Sequence, residues 1–120
     1  MKIKPVRGTH DIFGEEIKKF NKIISEVKNT AQKFGFKELM TPIFESSELF
    51  KKPLGEHSDV VLKEMYTFND RNDSLLTLRP ELTTPIIRSA ISENLLEKLP
   101  QKIYAFGPLF RRERPQKGRY

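Results

Sequence analysis

The sequence predicts an α+β domain in which helices flank a mostly antiparallel sheet. Three observations indicate this fold class. Apolar residues recur at helical spacing between Glu15 and Phe34, two short apolar runs are separated by the polar turn sequence NDRND, and a second helical pattern begins near Pro85. With 120 residues, the chain is long enough for one domain or for part of one.

The N-terminal residues Met1–Gly14 are expected to form an extended arm with turns, and Glu15–Phe34 the first helix. Steps of three and four residues place the apolar side chains on one side of this helix: Ile17, Phe20, Ile23, Ile24, Val27, Ala31 and Phe34. Two acids at its start and Gly35 after its end are typical of helix termini.

The segment Phe36–Phe44, FKELMTPIF, is short and apolar and follows a glycine, which predicts a strand. Because Pro42 has no N–H, this part should lie at a sheet edge, a bulge or an interface. Residues 46–61 are expected to form a loop or short helical turns. The runs Lys63–Phe68 and Ser74–Leu78 on either side of NDRND predict a hairpin.

A second helix is predicted with Pro85 in its first turn and Thr83 or Thr84 as its cap. Pro100 would end this helix, and its apolar side would comprise Ile86, Ile87, Ala90, Ile91 and Leu95. Two further strands are then expected, Lys102–Phe106 and Leu109–Glu113, interrupted by Gly107-Pro108.

The basic character of the chain is local. Net charge is +6, and residues 111–120 carry five of the 22 cations and one of the 16 acids, so a general affinity for polyanions is not indicated.

There is no cysteine, and His10 and His57 are far apart in sequence, so no metal site is expected. The N-terminus lacks the apolar run of a secretory signal and no stretch is long enough to span a membrane. A cytoplasmic protein without a membrane partner is therefore expected.

The cluster at the C-terminal end of the sequence, FRRERPQKGRY, permits two interpretations. On a strand, Arg111 and Glu113 would share a face, where a guanidinium could grip a phosphate and a carboxylate could accept a hydrogen bond from an exocyclic amine. Gly118 would then be the hinge of a loop that folds Lys117 and Arg119 over a polyphosphate. The alternative is a solvated basic loop, or one that touches RNA backbone.

A second cluster, LRPELTTP, precedes the second helix and also permits two interpretations. Glu81 lies at the predicted end of a strand, where its carboxylate could bind a substrate ammonium, with the hydroxyl of Thr83 adding a hydrogen bond. The alternative is that Glu81 and Thr83 cap the helix, which is a common use of such residues.

The chain resembles the N-terminal part of the histidyl-tRNA synthetases, which are class II aminoacyl-tRNA synthetases. The resemblance rests on stretches that span nearly the whole chain in the family's order: VRGTHDI, GFKELMTPIFE, DVVLKEMYTFNDR, LTLRPELT and GPLFRRERPQKGRY. It implies part of a class II catalytic core. In that core the first helix with FKELMTPIFE would be motif 1, which forms the dimer, and Pro42 would be the characteristic proline of that motif.

The resemblance also implies roles for single residues. Arg111 would grip the ATP α-phosphate and the carboxylate of histidine, Glu113 would meet the adenine amino group, and Arg119 would meet the outer phosphates. Glu81, Leu82 and Thr83 match the family's histidine-binding stretch. The implied reaction activates histidine with ATP and Mg²⁺ and passes it to tRNA(His), in a homodimeric histidine–tRNA ligase.

The resemblance implies that residues 1–120 are the N-terminal part of the catalytic domain, with motif 1 and the first half of motif 2. The rest of that domain and the anticodon-binding domain would be absent, so this fragment is expected to be inactive alone. Two alternatives stay open: the synthetase-like regulatory subunit of ATP phosphoribosyltransferase, and a simple RNA-binding module. The first would not need an intact ATP grip, and the second leaves Glu81 and Glu113 unexplained.

Overall fold

The computed structural model describes residues 1–54 and 64–112. The described elements, in chain order, are α1 (Glu15–Lys33), β1 (Lys37–Glu38), β2 (Phe44–Ser46), α2 (Ser47–Leu54), β3 (Thr67–Asn69), β4 (Leu75–Leu78), α3 (Thr83–Ser92), a 3₁₀ turn (Leu95–Glu97) and β5 (Ile103–Tyr104). The chain divides into two compact units, whose described parts are residues 1–35 and residues 36–54 with 64–112. The predicted α+β class is confirmed.

The first unit contains α1, whose observed bounds agree with the predicted helix to within one residue. Gly14 precedes α1 with φ 64° and Gly35 follows Phe34 with φ 80°, a left-handed conformation that glycine adopts without the penalty that a Cβ brings. Glu15 lies in the first turn and accepts a 3.1 Å bond from Lys18. Both helix ends therefore follow the expected chemistry.

The apolar stripe of α1 is present as predicted, but no residue of the helix is buried. The exposed fraction is 64% at Ile23 and 51% at Val27, and Phe20 and Phe34 are also exposed. Amphipathic spacing therefore identified the helix without indicating how much of its apolar side is covered.

The second unit is built around a three-stranded antiparallel sheet in the order β2-β4-β3. Thr77 in β4 lies opposite Glu45 of β2 and opposite Thr67 of β3, so these three side chains share one face of the sheet. The predicted hairpin is confirmed, with β3 and β4 as its strands. The predicted start of its first strand, Lys63, lies outside the described residues.

The face that carries Thr77 is polar although it is buried. The Thr77 hydroxyl is 2.7 Å from that of Ser47 and 3.0 Å from that of Thr67. Glu45 accepts a 2.7 Å bond from Nε of Arg88 in α3. Each buried polar group thus has a partner, which offsets the cost of removing it from water.

The prediction of one strand over Phe36–Phe44 is wrong. Residues Lys37 and Glu38 form β1, which pairs in parallel with β5, whereas Phe44 begins β2, which pairs with β4. Leu39 still donates to Tyr104 and Ile43 accepts from the Arg79 amide. Between them the pairing is broken, since the carbonyl oxygen of Thr41 accepts from the Arg79 side chain and Pro42 has no N–H to donate. Part of the segment 46–61, predicted as loop or helical turns, is the helix α2, and residues 55–61 lie outside the described residues.

The predicted caps and end of the second helix are also wrong. Leu82 is the N-cap of α3, and Thr83 and Thr84 are its first two residues, because the carboxylate that accepts from the helix N-terminus belongs to Glu81. The helix ends at Ser92 rather than near Pro100.

The two C-terminal strands differ from the prediction as well. The strand predicted over Lys102–Phe106 is shortened to β5 (Ile103–Tyr104). Residues 109–112 of the predicted strand Leu109–Glu113 are not assigned as strand, and Glu113 lies outside the described residues.

Candidate functional site

Residues 107–112, the entry segment of the RRERPQKGRY cluster, run beside the end of β4. The amide of Phe110 donates to the carbonyl oxygen of Arg79 at 3.0 Å, and Nε of Arg111 donates to the carbonyl oxygen of Pro80 at 3.0 Å. Arg111 is therefore bonded to the residue that precedes Glu81. The Arg111 side chain is thus held at the backbone next to Glu81, the other charged residue predicted for substrate binding.

With residues 1–54 and 64–112 as possible partners, the Arg111 guanidinium makes one hydrogen bond, to Pro80. A guanidinium has five N–H donors, and this bond engages one of them. Arg111 as a whole is exposed. A fixed Nε with a solvent-accessible head suits the bidentate recognition of a carboxylate or phosphate.

Glu81 is half-buried and faces the N-terminus of α3. Both of its carboxylate oxygens lie 3.1 Å from the amide nitrogen of Thr84. The hydrogen bond expected of a helix cap is therefore observed at Glu81. Because a carboxylate offers about four lone-pair sites, one shared amide leaves acceptor capacity for a ligand ammonium.

The other two residues of the predicted histidine-binding stretch differ in exposure: Leu82 is half-buried and Thr83 is exposed. Thr83 is one of the residues that line a groove of about 500 Å³ beside α3, together with Leu49, Thr84, Ile87, Arg88, Ile91 and Ser92. Neither Glu81 nor Arg111 lines this groove. The surface of the groove is largely apolar.

Two predicted ATP contacts, Glu113 and Arg119, lie outside the described residues, as do Lys117 and the predicted hinge Gly118. Over residues 1–54 and 64–112, no three His, Asp or Glu side chains are grouped closely enough to hold a metal ion. No helix in these residues combines the length and apolar character needed to cross a membrane.

Sequence reasoning groups Arg79 with Glu81 and Thr83, with which it alternates, but gives Arg79 no role. It is buried, at 4% exposure, and contacts Thr41 and Pro108. A signal was present: an arginine directly after the apolar strand sequence LLTL is placed where burial is expected, and a buried arginine needs several hydrogen-bond partners.

The chain matches known proteins over nearly its whole length. The family model described as histidyl-tRNA synthetase matches residues 8–120. The chain is 48% identical over 118 residues to a histidine–tRNA ligase of Gluconobacter oxydans, covering 98% of this chain and 28% of that protein. The chain thus spans about 28% of the length of the curated relative that it matches.

Solved structures agree on the fold. The apo histidyl-tRNA synthetase of S. aureus superposes with a TM-score of 0.78 at 38% identity, over 92% of this chain and 26% of that chain. A Bacillus halodurans structure titled as an ATP phosphoribosyltransferase regulatory subunit/histidyl-tRNA synthetase gives a TM-score of 0.77 at 20% identity, over 95% of this chain and 29% of that chain. At that identity the second likeness concerns the fold alone.

Proposed function

The chain belongs to the histidyl-tRNA synthetase family, and from this premise we propose that it supplies the N-terminal part of a catalytic domain that activates histidine with ATP. The carboxylate of histidine attacks the α-phosphorus, and histidyl-adenylate forms as pyrophosphate leaves. The 3′-terminal ribose hydroxyl of tRNA(His) then attacks the activated carbonyl carbon and receives the histidyl group, and AMP leaves. These steps belong to the whole protein. This chain spans about 28% of the length of a curated relative.

The observation that carries this proposal is the bond from Arg111 to Pro80, next to Glu81. Histidine presents a carboxylate and an ammonium on one carbon, so its recognition needs a cation and an anion at short range. Arg111 would take the carboxylate and the α-phosphate, and Glu81 would take the ammonium, with Leu82 and Thr83 beside it. Because carboxylate and triphosphate repel each other, a fixed guanidinium lowers the cost of bringing them together and stabilises the charge of the transition state.

The remaining assignments extend from the family. Glu113 and Arg119 would contact the adenine and the outer phosphates. Mg²⁺, when bound with ATP, would neutralise phosphate charge. We place the whole protein in the cytoplasm as a homodimer joined through α1 and the segment that contains Pro42. The exposed apolar stripe of α1 supports this assembly.

Histidine-dependent exchange of pyrophosphate into ATP tests the proposal directly. The whole protein should catalyse this exchange with histidine and far more slowly with other amino acids, and should then charge tRNA(His). A regulatory subunit of the kind in the Bacillus halodurans title would show neither activity. An RNA-binding module would bind any RNA with strong salt dependence and would also fail the exchange assay.

A further inference from the structure

Arg79 is a buried arginine whose side chain bonds to segments far from it in sequence. Its Nε donates to the carbonyl oxygen of Pro108 at 3.0 Å, and its Nη1 donates to the carbonyl oxygen and the hydroxyl of Thr41 at 3.2 and 3.1 Å. The carbonyl oxygen of Pro42 lies 3.5 Å from the same Nη1. One guanidinium thus joins residues 41–42 to residue 108.

The backbone of Arg79 joins the same two segments. Its N–H donates to the carbonyl oxygen of Ile43 at 2.9 Å, and its carbonyl oxygen accepts from the amide of Phe110 at 3.0 Å. Side chain and main chain together attach both segments to the end of β4. Arg111 is the next residue after Phe110, and Glu81 lies two residues after Arg79.

Neutral oxygens accept the bonds of this guanidinium. Each oxygen that it contacts among residues 1–54 and 64–112 belongs to a carbonyl or a hydroxyl group. Arg88, in contrast, is paired with the carboxylate of Glu45. Burying a charge with neutral acceptors is costly, and an apolar side chain of similar volume would avoid that cost. Stability alone therefore does not account for an arginine at position 79, whereas a requirement for fixed geometry does.

Gly107 gives the guanidinium the space that it occupies. A Cβ at Gly107 would overlap Nη2 of Arg79 and would lie 3.5 Å from its Cζ. Because the bonds to Thr41 and Pro108 hold the head of the arginine, it cannot turn aside without breaking them. Arg79 and Gly107 are thus a matched pair.

We propose that Arg79 is a positioning residue that fixes residues 107–110 against the end of β4 and so sets the place of Arg111 relative to Glu81. The effect of Arg79 on catalysis rests on the proposed function, whereas the attachment of residues 107–110 to the end of β4 does not. Lysine cannot replace it, because a single ammonium cannot reach the oxygens of Thr41 and Pro108 with the geometry of a fork.

Hydrogen exchange in the whole protein tests the attachment. In Arg79→Lys and Arg79→Met, the amides of residues 107–112 should exchange roughly tenfold faster or more, since bonds from a charged donor are lost. The matched control is Arg88→Met, which removes another arginine that contacts β2 but none of these residues. Because this variant is also expected to be less stable, rates are compared under conditions where exchange occurs by local opening, and there the same amides should keep their rates. Equal exchange in the Arg79 and Arg88 variants would overturn the proposal.

The rate of pyrophosphate exchange tests whether Arg79 affects catalysis. At saturating histidine and ATP, and at a temperature where each variant is folded, Arg79→Lys should lower the rate of pyrophosphate exchange about tenfold or more, with Arg88→Met within about twofold of wild type. A normal rate in Arg79→Lys, despite loosened amides, would reduce Arg79 to a structural role and overturn the positioning claim. If the wild-type protein has no exchange activity, the proposed function fails, and the hydrogen-exchange result alone decides the attachment.

A double-mutant cycle checks the matched pair without any assay of activity. Gly107→Ala should loosen residues 107–112 in both backgrounds, because the φ of 158° at Gly107 strains any side chain, but the effect should be larger in the wild-type background, where the Cβ also overlaps Nη2 of Arg79. Additive effects of the two substitutions would show that Gly107 and Arg79 act independently, contrary to the proposal.

Discussion

Nε of Arg111 donates to the carbonyl oxygen of Pro80 over 3.0 Å, so the arginine of one sequence cluster is bonded to the backbone of the other. The two clusters are separated by α3 and β5 in the sequence. The bond holds Nε of Arg111 in place and thereby orients the two outer nitrogens of the guanidinium. Binding of an amino acid between Arg111 and Glu81 would therefore begin from side chains that are already held in place, which reduces the entropy lost on binding.

Replacing Arg111 by alanine in the whole protein should reduce histidine-dependent pyrophosphate exchange by roughly 10²–10³-fold, the usual effect of removing one electrostatic contact at a reacting centre. Arg112→Ala is the matched control. Arg112 carries the same charge on the adjacent residue, but its guanidinium lies 5.7 Å from the ring centroid of Tyr66. Exchange within threefold of wild type in Arg111→Ala would remove Arg111 from the reaction.

Glu81→Gln should raise KM for histidine about tenfold or more and change KM for ATP much less, because a charge-assisted bond to the ammonium is lost. The amide oxygen of glutamine can still accept from Thr84, so the melting temperature should change little. Glu48→Gln, at an exposed acid in the first turn of α2, is the control for a general charge effect. A fall in stability with an unchanged KM for histidine would restrict Glu81 to capping α3.

Arg88→Met should lower the stability of the whole protein by about 1–3 kcal/mol, because the Glu45 carboxylate, with its side chain 7% exposed, loses the charged partner 2.7 Å away. Scanning calorimetry measures the shift in melting temperature. Lys18→Met is the control, since Lys18 and Glu15 form a pair whose side chains are 74% and 82% exposed, and such pairs contribute little. Equal shifts in the two variants would mean that burial of Glu45 adds nothing to its ion pair.

The 120-residue chain alone should show no pyrophosphate exchange with histidine and ATP, since it corresponds to 28% of the length of its Gluconobacter oxydans relative. Purified chain would be assayed beside the whole protein under identical conditions. Turnover by the short chain would show that residues 1–120 contain a complete site and would contradict the proposed division of the catalytic domain.

The elements that could be predicted from sequence are those that local patterning determines. The stripe of α1 and the turn NDRND each specify a structure through residues close together in the chain, and both are confirmed. The break within Phe36–Phe44 could not be predicted in the same way. Pro42 indicates an irregularity there, but the bond between the carbonyl oxygen of Thr41 and the Arg79 side chain joins residues that are distant in sequence.

In the candidate site too, local contacts could be predicted from the sequence and contacts between distant residues could not. The capping alternative for Glu81 was predicted from its place before the helix and is observed. The bond between Arg111 and Pro80 depends on how residues 107–112 lie against β4, which no local pattern encodes. Whether Glu81 and Arg111 bind histidine remains a prediction, as do the roles of Glu113 and Arg119.

The pairing of Lys37 with Ile103 has a consequence for the order in which the nascent chain acquires structure. Strands β3 and β4 are neighbours in sequence and can pair as soon as both have left the ribosome, whereas β1 must wait for β5, and Arg79 for Pro108. Closing the longer loops costs more chain entropy and depends on later synthesis. Pulse-labelled exchange during refolding should therefore find the hairpin protected first. Ligand competence would then be the last property that this region gains, so a stalled or partly folded chain would expose Glu81 without the arginine that completes the pair.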